Sequence, residues 1–227
     1  MSSEQPNLSA ESRTPLNPQD DPLQPLLDKL GITDWDILIA GDGSGNSWDA
    51  ACGWCAILID RHTRGRRVSY GAVNQGSINF AETLPYLQLL TWFDQHHGKT
   101  RLESKMVLTV HIVTDSQVVA NWGTAAMSAG TKTPRKQGPF WAAMRYLRSI
   151  GYVCHFHWAP RQTTQMNWAA DLVAGLARAA MLNLPNVPAA NDVTIGQRAA
   201  QALSELQFQS PDGDPVDVYS LDSRCPE

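Results

Sequence analysis

The stretch Asp36-Ile37-Leu38-Ile39-Ala40-Gly41-Asp42-Gly43-Ser44-Gly45-Asn46 constrains this chain more than any other. A short apolar run that ends in an aspartate and a Gly/Ser turn reads as a buried strand delivering a carboxylate to its open end. A buried carboxylate needs a partner to stay charged. Val107-Leu108-Thr109-Val110-His111-Ile112-Val113-Thr114-Asp115-Ser116 repeats the pattern: an apolar run, then an aspartate, then a hydroxyl residue. The organising question is therefore whether Asp42 and Asp115 meet at one end of a sheet, and what they would do there.

The rest of the chain supplies the sheet. Strands are predicted over 36–42, 51–60 and 66–73. A polar turn at Arg61–Gly65 between the last two makes the three an antiparallel meander. Asn79 to His97 has apolar residues at helical spacing (Phe80, Leu84, Leu87, Leu90, then Trp92 or Phe93). Pro85 falls inside it and is best tolerated in the first turns. A fourth strand over 106–114 and a short helix over 115–122 follow. Gly123–Gly138 reads as a loop or a broken helix. A helix over 139–150, a fifth strand over 152–158, a loop over 159–166 and an Ala-rich helix over 167–182 complete the pattern. Three hairpin strands followed by βα alternation predict an α/β fold: a mixed five-stranded sheet with helices on both faces.

The ends look different. Residues 1–22 are Ser, Pro, Gln, Asn and Asp with little to bury, which predicts disorder. Leu23–Gly31 reads as a short helix with a glycine C-cap. The expected organisation is an N-terminal extension over 1–32, a folded domain over 33–182, and an acidic, mostly irregular segment over 183–227, with one short helix at Ile195–Phe208. The first 32 residues carry five acids to two bases, and residues 182–227 seven to two. The overall charge of −4 therefore hides a basic middle, which suits a polyanionic partner.

At 227 residues and 43% apolar, with eight tryptophans, the chain can build a sizeable core. It has no 18-residue apolar run, and the polar, Pro-rich N-terminus lacks a signal-peptide segment. The expectation is a cytosolic protein, not one in a membrane. Four cysteines are too few and too scattered for a disulfide framework. Cys52-Gly53-Trp54-Cys55 has redox spacing, but it lies inside a predicted strand, where a thiolate has no helix N-terminus to stabilise it. In a strand, positions i and i+3 also face opposite sides.

Two further acids belong with Asp42 and Asp115. Glu82 lies near the start of the first long helix, and Asp171 in the last helix, both among apolar or small residues. A lone helix acid is ordinarily a solvated or dipole-paired residue. Four acids in this order on these elements are a different matter. Four carboxylates without Cys or His match Mg²⁺ or Mn²⁺, not Zn²⁺. Two such ions, roughly 3.5–4 Å apart, suit phosphodiester hydrolysis, one activating a water and the other stabilising the leaving oxygen.

Asp42-Gly43-Ser44, Asn79-x-x-Glu82, Thr114-Asp115-Ser116-Gln117 and Trp158-Ala159-Pro160-Arg161…Asn167-x-x-x-Asp171 together resemble the type 1 ribonuclease H family, over about residues 36–181. The resemblance implies the ribonuclease H-like fold and a metal-dependent endonuclease that cuts the RNA strand of RNA/DNA hybrids. It places Asp42, Glu82, Asp115 and Asp171 as the catalytic, metal-binding carboxylates, with Mg²⁺ or possible Mn²⁺ as cofactor. Asp42 would bridge both ions, with Asp115 and Glu82 completing the ion near the attacking water and Asp171 holding the other side. A monomer with no protein partner is the accompanying expectation. The alternatives are a nuclease of this fold acting on another nucleic acid, or a non-catalytic hybrid- or RNA-binding module.

The same resemblance assigns substrate contacts. Gly43, Ser44, Asn79 and Gln117 sit where backbone and polar side chains touch RNA 2′-hydroxyls. For Asn79 a helix N-cap is the competing role. Lys132, Arg135 and Lys136 occupy the place of a basic protrusion that grips the DNA strand, and phosphate contact there would be salt-dependent. Arg161 and Asn167 belong to the loop and helix start before Asp171. Two departures stand out: Ile78 where the family often has a polar residue, and no histidine in 159–170. His155 and His157 on the preceding strand read as structural, and Trp122 as a core residue.

Overall fold

The computed structural model describes residues 23–46, 50–62, 66–104, 106–130, 138–161, 164–182 and 217–220. The elements, in order, are α1 (Gln24–Leu30), β1 (Ile37–Ser44), β2 (Ala50–Asp60), β3 (Arg66–Gly76), α2 (Ile78–Ser104), β4 (Leu108–Thr114), α3 (Gln117–Met127), α4 (Gly138–Ser149), β5 (Tyr152–Trp158), α5 (Gln165–Leu182) and β6 (Asp217–Ser220). The strands form one sheet in the order β5-β4-β1-β2-β3-β6. The β1–β2–β3 meander is antiparallel, and β4 and β5 continue parallel to β1. The expected five-stranded mixed sheet is there. A sixth short strand, β6, is added parallel to β3, with Arg67 opposite Asp217 and Tyr70 opposite Ser220.

β1 lies in the middle because its side chains are apolar on both faces. Leu38 and Ala40 belong to one core cluster, and Ile37 and Ile39 to the other. The first cluster lies under α5 and includes Trp35, Ile57, Tyr70, Met166 and Val173. The second lies under α2, α3 and α4 and includes Tyr86, Leu89, Val110, Trp141, Met144 and Tyr152. Burying each such side chain contributes about 1.5–3 kcal/mol.

The register of β1 against β4 is set at their starts. The Asp36 carboxylate accepts from the Thr109 amide at 2.7 Å, and the Asp36 amide donates to the Thr109 carbonyl at 2.9 Å. Ile37 then faces Val110, and the pairing runs to Ala40 and Val113. Two residues further along each strand stand Asp42 and Asp115.

Several boundaries differ from the sequence reading. Leu23 and Leu27 of α1 are buried in the cluster under α5, so the folded unit reaches back beyond residue 33. Gly31 closes α1 in the left-handed conformation (φ 65°), as a C-cap glycine does. α2 runs on to Ser104, past His97. α3 continues through Gly123 to Met127 where a break was expected. Gly123 is there for packing: a Cβ on it would fall 2.3 Å from the Phe156 ring. The expected helix at Ile195–Phe208 lies outside the described residues, as do residues 1–22. No described helix is long and apolar enough to cross a membrane.

Candidate metal centre

Three elements bring three carboxylates together at the carboxyl end of the central strands. Asp42 comes from the end of β1, Asp115 from the residue after β4, and Glu82 from the second turn of α2. One oxygen from each lies within 4.8 Å of the others. Asp42 is only 4% exposed. The approach of α2 depends on two glycines. A Cβ at Gly41 would fall 2.6 Å from Pro85 and 3.0 Å from the Tyr86 ring, and one at Gly43 would meet the backbone of Ala81 and Glu82 at 2.3–2.5 Å. Gly43 is still within β1, so its part is to admit the helix, not only to turn the chain. Its amide also donates to Asp42 Oδ1 at 2.8 Å.

The fourth acid, Asp171, lies on α5, and its charge helps to raise the Asp42 carboxyl. Its Oδ1 also accepts from the Arg161 guanidinium. Arg161 Nε stands 4.0 Å from Asp115 Oδ2. One guanidinium thus lies between Asp115 and Asp171. The loop that carries it is tied down at its start. The Trp158 indole donates to the Asp115 carbonyl at 3.0 Å, and the Ala159 amide to the Thr114 carbonyl at 2.9 Å.

Packing these acids together changes their chemistry. Burial, then the charges of Asp115 and Asp171, push the Asp42 carboxyl up to about 8. Burial, then the charges of Asp42 and Asp115, push Glu82 up to about 9. Asp115 is also raised, chiefly by burial, with Arg161 opposing the shift. Glu82 Oε2 and Asp115 Oδ1 are buried without a hydrogen-bond partner among the described residues. A set of buried acceptors with too few donors and suppressed charge is what a hard divalent cation satisfies. Asp42, Glu82 and Asp115 could together hold such a cation.

The remaining candidates separate by position. Ser44 is half-buried just beyond Asp42, while Asn79 and Gln117 are exposed near the site at the starts of α2 and α3. Asn79 is not the helix cap: Ser77 Oγ accepts from the Phe80 amide at 3.2 Å and takes that role. Asn167 is 4% exposed. Its Oδ1 accepts from the Thr164 hydroxyl at 2.8 Å, and its amide donates to Thr164 Oγ1 at 3.1 Å, which braces the start of α5 one turn before Asp171. Lys132, Arg135 and Lys136 lie outside the described residues. Cys52 and Cys55 are both buried in β2, so they form no exposed dithiol. Trp122 packs against the second core cluster, as expected. Tyr86, central to the site's frame, was not singled out from the sequence. Its position four residues after Glu82, one helical turn on, was the available signal.

No protein-family model matches the chain, and no curated protein does. Solved structures match its shape. LC11-RNase H1 in complex with an RNA/DNA hybrid aligns with a TM-score of 0.51 and 18% identity, over 64% of this chain and 99% of that one. LC11-RNase H1 isolated from compost by a metagenomic approach aligns with a TM-score of 0.51 and 17% identity, over 66% and 99%. The N-terminal RNase H domain of a Mycobacterium tuberculosis protein gives 0.48 and 16%, over 66% and 98%. The chain has the ribonuclease H fold. At these identities the likeness is one of architecture.

Proposed function

We propose that this protein is a divalent-metal-dependent endonuclease that hydrolyses the RNA strand of RNA/DNA hybrids. The observation that carries the reading is the convergence of Asp42, Glu82 and Asp115 within 4.8 Å at the strand ends. Two of their buried oxygens have no hydrogen-bond partner among the described residues, and the fold around them is that of ribonuclease H. Bound Mg²⁺ or Mn²⁺ would supply an activated water and charge stabilisation at the leaving oxygen. Asp42, Glu82 and Asp115 hold the cation. Asp171 completes the acidic set beside Asp42.

Arg161 neutralises part of that set and stands at its rim, 65% exposed, where a phosphate would arrive. Gly43, Ser44, Asn79 and Gln117 are the groups we assign to the RNA strand and its 2′-hydroxyls, the feature that distinguishes RNA from DNA. Lys132, Arg135 and Lys136 are assigned to phosphates of the DNA strand. Asn167 serves from beneath, by fixing the loop and helix that carry Arg161 and Asp171.

The test uses a labelled RNA/DNA hybrid, a matched duplex DNA and a matched duplex RNA, each with Mg²⁺ and with chelator. Cleavage confined to the RNA strand of the hybrid, dependent on metal, is the expected result. Cleavage of duplex DNA instead would move the substrate assignment. Binding without cleavage, or full activity in Asp42→Asn and Asp115→Asn, would defeat the reading.

A further inference from the structure

The geometry points to Tyr86 as a positioning residue that sets the separation of Asp42 and Asp115, a role that rests on the metal-centre reading above. β1 and β4 pair only as far as Ala40 and Val113. Both carboxylates lie past that point, where no further rung of the ladder holds the strands in register. The Tyr86 hydroxyl sits in the gap. It donates to the Gly41 carbonyl at 2.8 Å and lies 3.3 Å from the Val113 carbonyl. It thus contacts the residue before Asp42 on one strand and the residue two before Asp115 on the other.

The surroundings leave the hydroxyl little freedom. Tyr86 is fully buried. Its ring lies against Gly41, where a side chain would collide with it, and meets Phe156 edge-on with centroids 6.4 Å apart. Next along β4 from Val113, Thr114 Oγ1 accepts from the Ser116 amide at 3.1 Å. The helix that carries Tyr86 also carries Glu82, one turn earlier on the same face. One side chain therefore links all three elements that hold the carboxylates. A metal site needs its ligands held by such outer contacts, whose loss typically weakens metal affinity by about 10–100-fold.

The experiment replaces Tyr86 with Phe, which keeps the ring and removes the hydroxyl. Tyr152→Phe is the control. Tyr152 is equally buried, and its hydroxyl donates to Asp94 at 3.2 Å, away from the carboxylates. Mn²⁺ binding to the full chain is measured by calorimetry, and amide hydrogen exchange is followed in chelator. Tyr86→Phe should weaken Mn²⁺ binding by about 10–100-fold and speed exchange at Asp42, Gly43, Asp115 and Ser116. Tyr152→Phe should leave both unchanged. Equal Mn²⁺ affinity in parent and Tyr86→Phe would overturn the assignment. So would rapid exchange of those four amides in the metal-free parent, a result that needs no variant to fold. A parent that binds no Mn²⁺ would instead count against the metal centre, with the exchange data still deciding whether Tyr86 pins the strand ends.

Discussion

Gly43 and Glu82 are packed backbone to backbone: a Cβ on Gly43 would lie 2.4 Å from the Glu82 amide nitrogen. The obstacle is main chain, so no rotamer change relieves it. Gly43→Ala should push the first turns of α2 away from β1 and carry the Glu82 carboxylate out of the cluster. Overpacking of this kind costs about 1–3 kcal/mol of stability. Chemical denaturation should show that loss, and Mg²⁺-dependent hybrid cleavage should fall with it. Unchanged stability and cleavage would mean that α2 has room to move.

The raised carboxyls predict how the metal-free protein responds to pH. A carboxyl whose folded pKa lies above its unfolded value favours folding while protonated. That contribution is complete below the unfolded value, near 4, and is lost as pH rises through the folded one. For Asp42 and Glu82 the loss should run from about pH 4 up to about 8 and 9. In chelator, Asp42→Asn should flatten this decline, since an amide keeps the acceptor for the Gly43 N–H without the charge. Denaturation midpoints at a series of pH values test it, and a variant as steeply pH-dependent as the parent would contradict it.

Adding metal should reverse the same penalty. A ligand that binds only the folded state at 100 times its dissociation constant stabilises by about 2.7 kcal/mol. Mg²⁺ or Mn²⁺ should therefore raise the melting temperature of the parent at pH 8. Asp42→Asn and Asp115→Asn should lose most of that rise, because each removes a ligand. Equal shifts in parent and variants would place the cation elsewhere.

A second pH effect arises across the sheet from Tyr86. The rings of His155 and His157 stack on His111, with centroids 4.9 and 5.0 Å away. His111 Nε2 lies 2.9 Å from the Asp34 carbonyl, so Nε2 carries the proton. Its Nδ1, 2.8 Å from His157 Nε2, then accepts. Burial, then His157, hold His111 down to about 4. Its neutral form supports the fold fully above the unfolded value of about 6.5, and that support is lost as pH falls through about 4. The loss should approach roughly 3 kcal/mol. Denaturation of the parent and His111→Gln between pH 7 and 4 checks it, and the variant should show the shallower fall.

Much of the frame could be read from one-dimensional pattern. β1 and β4 announced themselves because buried strands are short apolar runs. Asp42 and Asp115 were legible because each ends such a run. What was hidden depends on a second chain segment. Gly123 looked like a break, since a sequence does not show that Phe156 fills the space where its side chain would be. Leu23 and Leu27 looked peripheral, yet they are buried in the cluster that α5 shares. Asn79 looked like a cap because Ser77, two residues earlier, offers the same chemistry. Tyr86 did not stand out, since its meaning lies in two carbonyls contributed by Gly41 and Val113. Local composition reports which residues are buried, but not which backbone groups they satisfy there.

β6 has one more consequence. A sheet recruits further strands only through an edge whose amides and carbonyls are free. Between Arg67 and Tyr70 the outer side of β3 is already taken by residues of the same chain. Growth of the sheet from that stretch of β3 is thereby capped. Among the described residues the sheet ends on that side in a strand of four residues, a shorter template for edge-to-edge pairing than the eleven residues of β3 would be.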